Sequence, residues 1–141
     1  MDISSPIIHY SHKPPDIKNY WPLFESTGWN ENYQADKTEL AFAINNSLHT
    51  LSAYSGNLLV GFGRIVSDGV LHAMIYDLIV LPEYQGLGIG STILDTLLEK
   101  CIRANIRDIQ LFCARDKAEF YKKRGFYTRP ENAPGMEYKI L

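Results

Sequence analysis

A glycine-rich segment, Gln85-Gly86-Leu87-Gly88-Ile89-Gly90, is the strongest chemical signal in this chain of 141 residues. It follows an apolar, strand-like run and opens a helical pattern. Because glycine has no side chain, backbone amides in such a segment can approach an anion closely. The first turn of the following helix adds unpaired amides and the positive end of the helix dipole. The segment therefore predicts a site for a phosphate or pyrophosphate.

The spacing of these glycines argues against two common nucleotide sites. Gly86, Gly88 and Gly90 follow the pattern G-x-G-x-G, whereas a dinucleotide-binding turn needs G-x-G-x-x-G and a P-loop needs Gly-Lys-Ser or Gly-Lys-Thr. A tight turn between a strand and a helix is the structural alternative. Three glycines within five residues exceed what such a turn requires.

Asp77 is a carboxylate inside an otherwise apolar run, flanked by Tyr76 and Leu78. A charge in a strand of this kind is costly unless it has a partner. It therefore marks a candidate functional site. Two interpretations stay open at this point, a carboxylate that meets a substrate and one that makes a structural hydrogen bond.

Two motifs resemble those of the GNAT superfamily of acetyltransferases. Gln85-x-x-Gly88-x-Gly90 matches the acetyl-coenzyme A signature Q/R-x-x-G-x-G/A, and a strand of the family's type precedes it at residues 77–84. The second landmark is Ala-Glu-Phe-Tyr-Lys-Lys-Arg-Gly-Phe at residues 118–126. In the order of its elements the resemblance covers essentially the whole chain, and it implies an acetyl-CoA-dependent N-acetyltransferase.

The resemblance also implies where acetyl-CoA, the one co-substrate expected, would bind; no metal is expected. Backbone groups of Ile79 and Val80 would pair with the pantetheine arm. Lys117, Phe120 and Lys123 would lie near the far end of the coenzyme, where basic side chains suit phosphates, although a solvated helix face is the alternative for either lysine. The pyrophosphate would be held by the loop and the first helical turn: Gln85, Gly86, Leu87, Gly88, Ile89, Gly90 and Ser91.

Acetyl transfer to an amine requires a deprotonated amine, a polarised thioester carbonyl and a proton for the departing thiolate. The resemblance places the acid at Tyr121, since a phenol with a pKa of about 10 is mostly protonated at neutral pH; packing beside Phe120 and Phe126 is the alternative. It assigns carbonyl polarisation to a strand amide near Val80. We expect Asp77 to bind the substrate ammonium and to take its proton, directly or through water.

The acceptor side is expected to combine Asp77 with Tyr76 and with aromatic residues of two early helices. Tyr76 and His72 share the strand parity opposite to that of Asp77 and form the fallback proton relay. Aromatic walls beside a carboxylate suit an amine with an apolar body, and Trp21 and Trp29 are the substrate-binding candidates. Packing onto the sheet is the alternative for the whole aromatic set: Tyr20, Trp21, Phe24, Trp29 and Tyr33.

A narrower resemblance rests on residues 60–69, Ile75-Tyr76-Asp77, Arg129-Pro130 and Pro134-Gly135-Met136. These segments are similar to the branch of plant chloroplast enzymes described as serotonin N-acetyltransferases and protein lysine acetyltransferases. The acceptor would then be an arylalkylamine or a lysine side chain. The alternative function is a module that binds acyl-CoA for sensing or interaction without turnover; the presence of Tyr121 and Asp77 beside an intact loop favours the enzyme.

The elements that must position these residues follow from hydrophobic periodicity. We expect strands at residues 7–10, 48–54, 58–66, 70–81, 108–113, 126–128 and 136–140, and helices at 17–27, 35–46, 89–102 and 116–124. Short turns join the long early strands into an antiparallel meander, and the helical crossover after residue 81 makes the next pair parallel. The predicted fold is α/β: a GNAT-like mixed sheet with an antiparallel N-terminal meander and a central parallel strand pair, flanked by about four helices.

Length and composition predict a single N-acetyltransferase domain over residues 1–141. The formal charge of -2 argues against a nucleic-acid partner. The absence of a signal peptide pattern and of a membrane-length apolar run predicts a cytoplasmic protein without a membrane partner. A homodimer is also expected from the resemblance to small acetyltransferases. Cys101 and Cys113 both lie in apolar segments and are expected to be buried free thiols.

Overall fold

The computed structural model describes residues 5–140. The strands are β1 (His9–Ser11), β2 (His49–Ser55), β3 (Leu58–Ser67), β4 (His72–Val80) and β5 (Asp108–Leu111). The helices are α1 (Ile17–Glu25), α2 (Asn30–Tyr33), α3 (Lys37–Asn45), α4 (Ile89–Arg103) and α5 (Ala118–Lys122). The chain divides into two compact units, Met1–Gln110 and Leu111–Leu141. A single domain over residues 1–141 therefore stays a prediction.

The strands form one sheet in the order β1-β2-β3-β4-β5. The pairs from β1 to β4 are antiparallel, and β4 and β5 run parallel. These pairings confirm the mixed α/β fold, the N-terminal meander and the parallel pair that follows the crossover. Within the described residues the parallel pair lies at the end of the sheet rather than at its centre, because β5 is the last strand in the order.

The expected strands at residues 126–128 and 136–140 are wrong, since neither of these described segments is a strand. Apart from Phe126, their large apolar side chains lie in solvent: Tyr127 and Tyr138 are each 91% exposed and Ile140 is 88% exposed. An alternating sequence becomes a strand where one of its faces is buried. Phe126 is partly buried and packs on Tyr121, but neither segment has the continuous buried face that a strand of the sheet requires.

Helices α1 and α3 share a core with one face of the sheet. Helix α3 begins where the sequence provides a capping box: Asp36 Oδ1 accepts from the amide of Glu39 at 2.8 Å, and Glu39 Oε1 accepts from the amide of Asp36 at 3.0 Å. The predicted helix from residue 35 therefore starts two residues later, and the short α2 was not predicted. The shared core consists of Tyr20, Leu23, Phe24, Ile44, Leu59, Phe62 and Ile79.

Helix α4 packs closely on the other face of the sheet. A Cβ atom on Gly63 would lie 2.8 Å from Ile93 Cγ2 and 3.0 Å from Leu97 Cδ1, so glycine lets the helix approach the strand. Ile93 and Leu97 are fully buried, as their spacing of four residues predicts. None of the helices within residues 5–140 is both long and apolar enough to cross a bilayer.

The two cysteines differ in their surroundings, although both are free thiols. Cys101 is buried on α4, and burial raises the pKa of its thiol. The expectation that Cys113 is buried is wrong, because β5 ends at Leu111 and Cys113 follows it as an exposed residue. Among the described residues, no three His, Cys, Asp or Glu side chains come together as a metal site would require.

Candidate active site

The glycine-rich loop connects the end of β4 to the start of α4. Gly86 and Gly88 have φ angles of 79° and 83°, in the left-handed region that glycine adopts without strain. Gly88 is the residue before α4, and no side chain caps the helix there. The first intrahelical bond runs from the Thr92 amide to the Gly88 carbonyl at 3.0 Å. The amides of Ile89, Gly90 and Ser91 therefore have no intrahelical acceptor, as an anion site requires.

Gln85 has a bracing contact within this loop. Its side-chain amide donates to the Val80 carbonyl at 3.0 Å, which ties the start of the loop to the last residue of β4. Leu87 lies at the exposed side of the same loop. A coenzyme contact by either side chain stays a prediction.

A bulge interrupts β4 just before the loop. Phe62 pairs with Ile79, and Arg64 pairs with Tyr76, so one residue of β3 lies opposite two residues of β4, Asp77 and Leu78. The extra residue is accommodated at Asp77, which has a φ of 56°. Aspartate is one of the few non-glycine residues that visits this left-handed region. Bulges of this kind re-aim side chains near functional sites.

Asp77 forms an ion pair with Arg64 of β3. Arg64 Nε donates to Asp77 Oδ2 at 2.6 Å, and both side chains are 18% exposed. The same guanidinium donates from Nη1 to Ser47 Oγ at 3.2 Å and, at 3.4 Å, to the Ala43 carbonyl in α3. A cation is favoured near the carboxyl end of a helix by the helix dipole. The partner that a charge in β4 requires is therefore Arg64.

Sequence reasoning missed Arg64, although a signal was present. It is the single charged residue of β3, and a charged side chain in an apolar strand is expected to have a partner. Asp77 is likewise a charged residue in an apolar strand, and that predicted strand is the neighbour of β3. Two opposite charges, each in need of a partner and lying on strands expected to be neighbours, indicate an ion pair between them.

Tyr76 and Asp77 lie on the same side of the sheet, contrary to the predicted opposite parity. The Arg64 guanidinium that binds Asp77 also lies 5.9 Å from the centre of the Tyr76 ring. The bulge explains the difference, because an extra residue shifts the alternation of side chains along the strand. Tyr76 remains 38% exposed beside the ion pair.

His72 is separated from this group. It lies five residues before Asp77 on β4, or about 16 Å away at the usual rise of a strand. Its Nδ1 lies 3.0 Å from Asp108 Oδ2, in a pair whose side chains are 69% and 41% exposed. The structure therefore does not bring His72 together with Tyr76 and Asp77 as one relay.

The early aromatic residues divide between the core and the surface: Tyr20 and Phe24 are buried, Trp21 and Trp29 are partly buried, and Tyr33 is 69% exposed. Tyr20 packs on Phe62 with ring centres 4.8 Å apart, and Trp29 packs on Phe24 at 6.3 Å. Burial raises the pKa of Tyr20, and the Asp77 carboxylate raises it further while Arg64 opposes the shift. Packing thus accounts for Tyr20 and Trp29. Trp21 is partly exposed, and Lys37 Nζ lies 5.6 Å from the centre of its ring.

Tyr121 lies on α5 in the second unit, between two other aromatic side chains. Its ring centre is 5.1 Å from that of Phe120 and 5.9 Å from that of Phe126, both at steep angles. Burial raises the pKa of Tyr121 above its ordinary value, and Cys113 adds to the shift. A phenol in this setting keeps its proton at neutral pH, as an acid must. Lys117 and Lys123 flank α5 at its two ends and are exposed.

A family model described as the acetyltransferase (GNAT) family matches residues 15–126. The uncharacterized N-acetyltransferase ycf52 of Pyropia yezoensis is 32% identical over 89% of this chain and 73% of its own length. Histone acetyltransferase TAP1 of Glycine max is 31% identical over 92% of this chain and 60% of its own length. For the chloroplastic GCN5-related N-acetyltransferase 2 of Arabidopsis thaliana the identity is 37%, over 92% of this chain and 57% of that protein. The chain thus spans between 57% and 73% of these relatives.

Solved structures show the same fold. A GNAT-family acetyltransferase of Streptococcus pneumoniae is 27% identical with a TM-score of 0.77, over 94% of this chain and 98% of its own. The PaiA N-acetyltransferase of Thermoplasma acidophilum, solved with coenzyme A, is 21% identical with a TM-score of 0.67, over 87% and 91%. The match over residues 15–126, the relatives above 30% identity and the loop at the end of β4 agree with one another. The chain belongs to the GNAT family of acetyltransferases.

Proposed function

We propose that this protein transfers the acetyl group of acetyl-CoA to a primary amine by direct attack of the amine on the thioester. The observation that carries the proposal is the glycine-rich loop at the end of β4, which leads into the uncapped start of α4. Free amides at a helix start, with no side chain in their way, fit a pyrophosphate. The coenzyme A bound to the Thermoplasma protein of the same fold supports this choice of ligand.

The donor would be held along β4 and the loop. Its pyrophosphate would accept from the amides of residues 86–91, and its pantetheine arm would pair with the backbone at Ile79 and Val80. The nucleotide end would meet Lys117, Phe120 and Lys123. The exposure of both lysines leaves their ammonium groups free to reach a phosphate.

The chemistry divides among three groups. As the amine nitrogen bonds to the carbonyl carbon, an amide near Val80 would polarise the carbonyl oxygen. The C–S bond then breaks, and Tyr121 would give its proton to the leaving thiolate. Asp77 would bind the acceptor ammonium and take its proton, directly or through water. Because Asp77 Oδ2 accepts from Arg64, the amine would approach Oδ1.

The acceptor amine is either a lysine side chain or an arylalkylamine. The relative from Glycine max is called a histone acetyltransferase, which supports a lysine side chain as the acceptor. Exposed Tyr76 and partly exposed Trp21 would instead suit an arylalkylamine. Trp21 and Trp29 are both partly buried, but Trp29 also packs against the core, so Trp21 is the tryptophan proposed for the acceptor side. No nucleic-acid or membrane partner is proposed. A homodimer stays a prediction from the resemblance.

The cellular location stays a proposal as well. The cytoplasm stays the expectation. The word chloroplastic in the name of the Arabidopsis relative favours a plastid in any photosynthetic source. Fractionation of source cells with an antibody to the protein would decide between the two.

A thiol-release assay tests the proposed function. Acetyl-CoA and the protein are incubated with arylalkylamines, polyamines, amino acids or lysine peptides, and free thiol and acetylated product are both measured. We expect equal amounts of thiol and acetyl-amine with at least one class. Binding of acetyl-CoA without product across the whole panel would instead support the coenzyme-binding module.

A further inference from the structure

We propose that Arg64 is a positioning residue of the acetyl-transfer site, which holds the Asp77 carboxylate and the β4 bulge against the carboxyl end of α3. The proposal rests on the function proposed above, because Asp77 acts there on the acceptor amine. Arg64 itself would touch neither the amine nor acetyl-CoA. Its effect on the reaction would pass through the carboxylate and the strand that it holds.

The first support is the geometry of the guanidinium. One nitrogen, Nε, binds Asp77 Oδ2 at 2.6 Å, and another, Nη1, binds Ser47 Oγ at 3.2 Å and the Ala43 carbonyl at 3.4 Å. Arg64 thus joins β3, the bulge in β4 and the end of α3. With both charged side chains 18% exposed, the charge-assisted bond is shielded from most of the solvent and orients the carboxylate.

The second support is the backbone that the pair holds. Asp77 has a left-handed φ of 56° at the extra residue of the bulge. This residue decides which face of the sheet the Asp77 side chain meets, and so where the carboxylate is presented to the amine. A carboxylate fixed by Arg64 keeps the unusual backbone in place, because the side chain and the backbone of one residue move together.

The third support is the exposed Tyr76. Its ring lies under the same guanidinium at 5.9 Å and is 38% exposed, so Arg64 orders both an acidic and an aromatic group on one side of the sheet. An amine acceptor with an apolar body would meet both groups. Loss of Arg64 should therefore harm use of the amine more than binding of the acetyl donor.

The test is a double-mutant cycle of Arg64→Gln and Asp77→Asn, with KM for both substrates and kcat measured. Asparagine keeps a side-chain oxygen and tolerates the left-handed backbone, so Asp77→Asn preserves the bulge. We expect Arg64→Gln to raise the amine KM at least tenfold and to leave the acetyl-CoA KM within about twofold. The double variant should be no worse than Asp77→Asn, since a residue acting through Asp77 has no further effect once its charge is gone.

Two further variants sharpen the test. Arg64→Lys keeps the charge but cannot bind Asp77 and Ser47 with separate nitrogens. It should therefore keep part of the turnover that Arg64→Gln loses. If Arg64→Gln does not fold, Arg64→Lys takes its place in the double-mutant cycle. Arg103→Gln is the matched control, because its pair with Glu99 is exposed at 79% and 59% and the loss of such a pair should change no kinetic constant.

The outcomes separate the two proposals. A wild-type protein that acetylates no amine overturns the proposed function. With an active wild type, losses that multiply in the double variant, or equal effects on the two KM values, overturn the role of Arg64 and leave acetyl transfer standing.

Discussion

At the scale of single residues, the groups proposed for the chemistry differ in electrostatic character. Arg64 and Asp77 form a partly buried ion pair in the sheet, whereas Tyr121 is a neutral phenol among aromatic rings. Removing one partner of a shielded pair leaves an uncompensated charge. Removing a hydroxyl from an aromatic cluster leaves the packing intact. Substitution of Arg64 or Asp77 should therefore lower both activity and stability, whereas removal of the Tyr121 hydroxyl should lower activity alone.

Tyr121→Phe tests the acid. If Tyr121 protonates the leaving thiolate, phenylalanine should lower kcat by about 10²–10⁴-fold, the usual contribution of a positioned acid. The acetyl-CoA KM and the melting temperature should hardly change, because the ring still packs between Phe120 and Phe126. Steady-state kinetics on a reactive amine is the measurement. A variant that keeps wild-type kcat would exclude Tyr121 as the acid.

The same residue predicts the alkaline limb of the pH profile. An acid works while it is protonated, and the pKa of Tyr121 is raised by burial. Its protonated window therefore extends to higher pH than that of an ordinary phenol, so wild-type kcat should not fall through loss of this proton below about pH 10.

At the scale of elements, the segment from β4 through the loop to α4 has three features that suit the proposed anion site. The bulge turns the strand, Gln85 ties the loop to Val80, and Gly88 starts a helix without a side-chain cap. Each feature uses a different property of the chain. The extra residue changes direction, the amide side chain braces the loop, and the absence of a Cβ permits a left-handed backbone.

Gly88→Ala tests the loop. Nothing lies within 4 Å of a Cβ placed there, so the cost is backbone strain at a φ of +83°, about 1–2 kcal/mol for a left-handed residue. Relief of that strain would turn the amides away from the pyrophosphate. We expect a matching loss of stability and at least a tenfold weaker coenzyme A affinity by calorimetry.

Gly56→Ala, in the hairpin between β2 and β3, is the matched control. It has a φ of +59° and equally open space, so it should lose similar stability and keep its affinity for coenzyme A. Equal affinity losses in the two variants would show that the glycines act through general stability and not through the loop amides.

At the scale of the whole molecule, family membership rests on a match over residues 15–126. Coenzyme A should therefore stabilise the folded chain by mass action. At a free concentration of 100 times Kd the gain is about 2.7 kcal/mol, which a thermal melt measures. ATP and NAD at the same concentration should have no comparable effect, since the loop lacks the residues of a P-loop or a dinucleotide turn. Stabilisation by either nucleotide that exceeds that by coenzyme A would contradict a coenzyme A site.

Much of the fold was predictable because its signals are local. Helix α4 follows from apolar residues three and four positions apart, such as Ile93 and Leu97, and both are buried. The meander follows from short turns between apolar runs. The last two expected strands are wrong because an alternating pattern indicates a preference for strand conformation but does not identify a neighbouring strand to pair with. Residues 136–140 alternate, yet Met136, Tyr138 and Ile140 are all exposed.

The amino-acid sequence by itself determined the glycine loop, the helix behind it and the two motifs that led to the family. These features depend on neighbours within a few residues, so the local order of residue types is enough to predict them. Only the tertiary structure decided that Asp77 pairs with Arg64, that Tyr76 shares its side of the sheet, and that Cys113 lies in solvent. A bulge adds one residue to one strand and shifts which face each side chain meets. That shift depends on the pairing of two strands, which periodicity within either strand does not record.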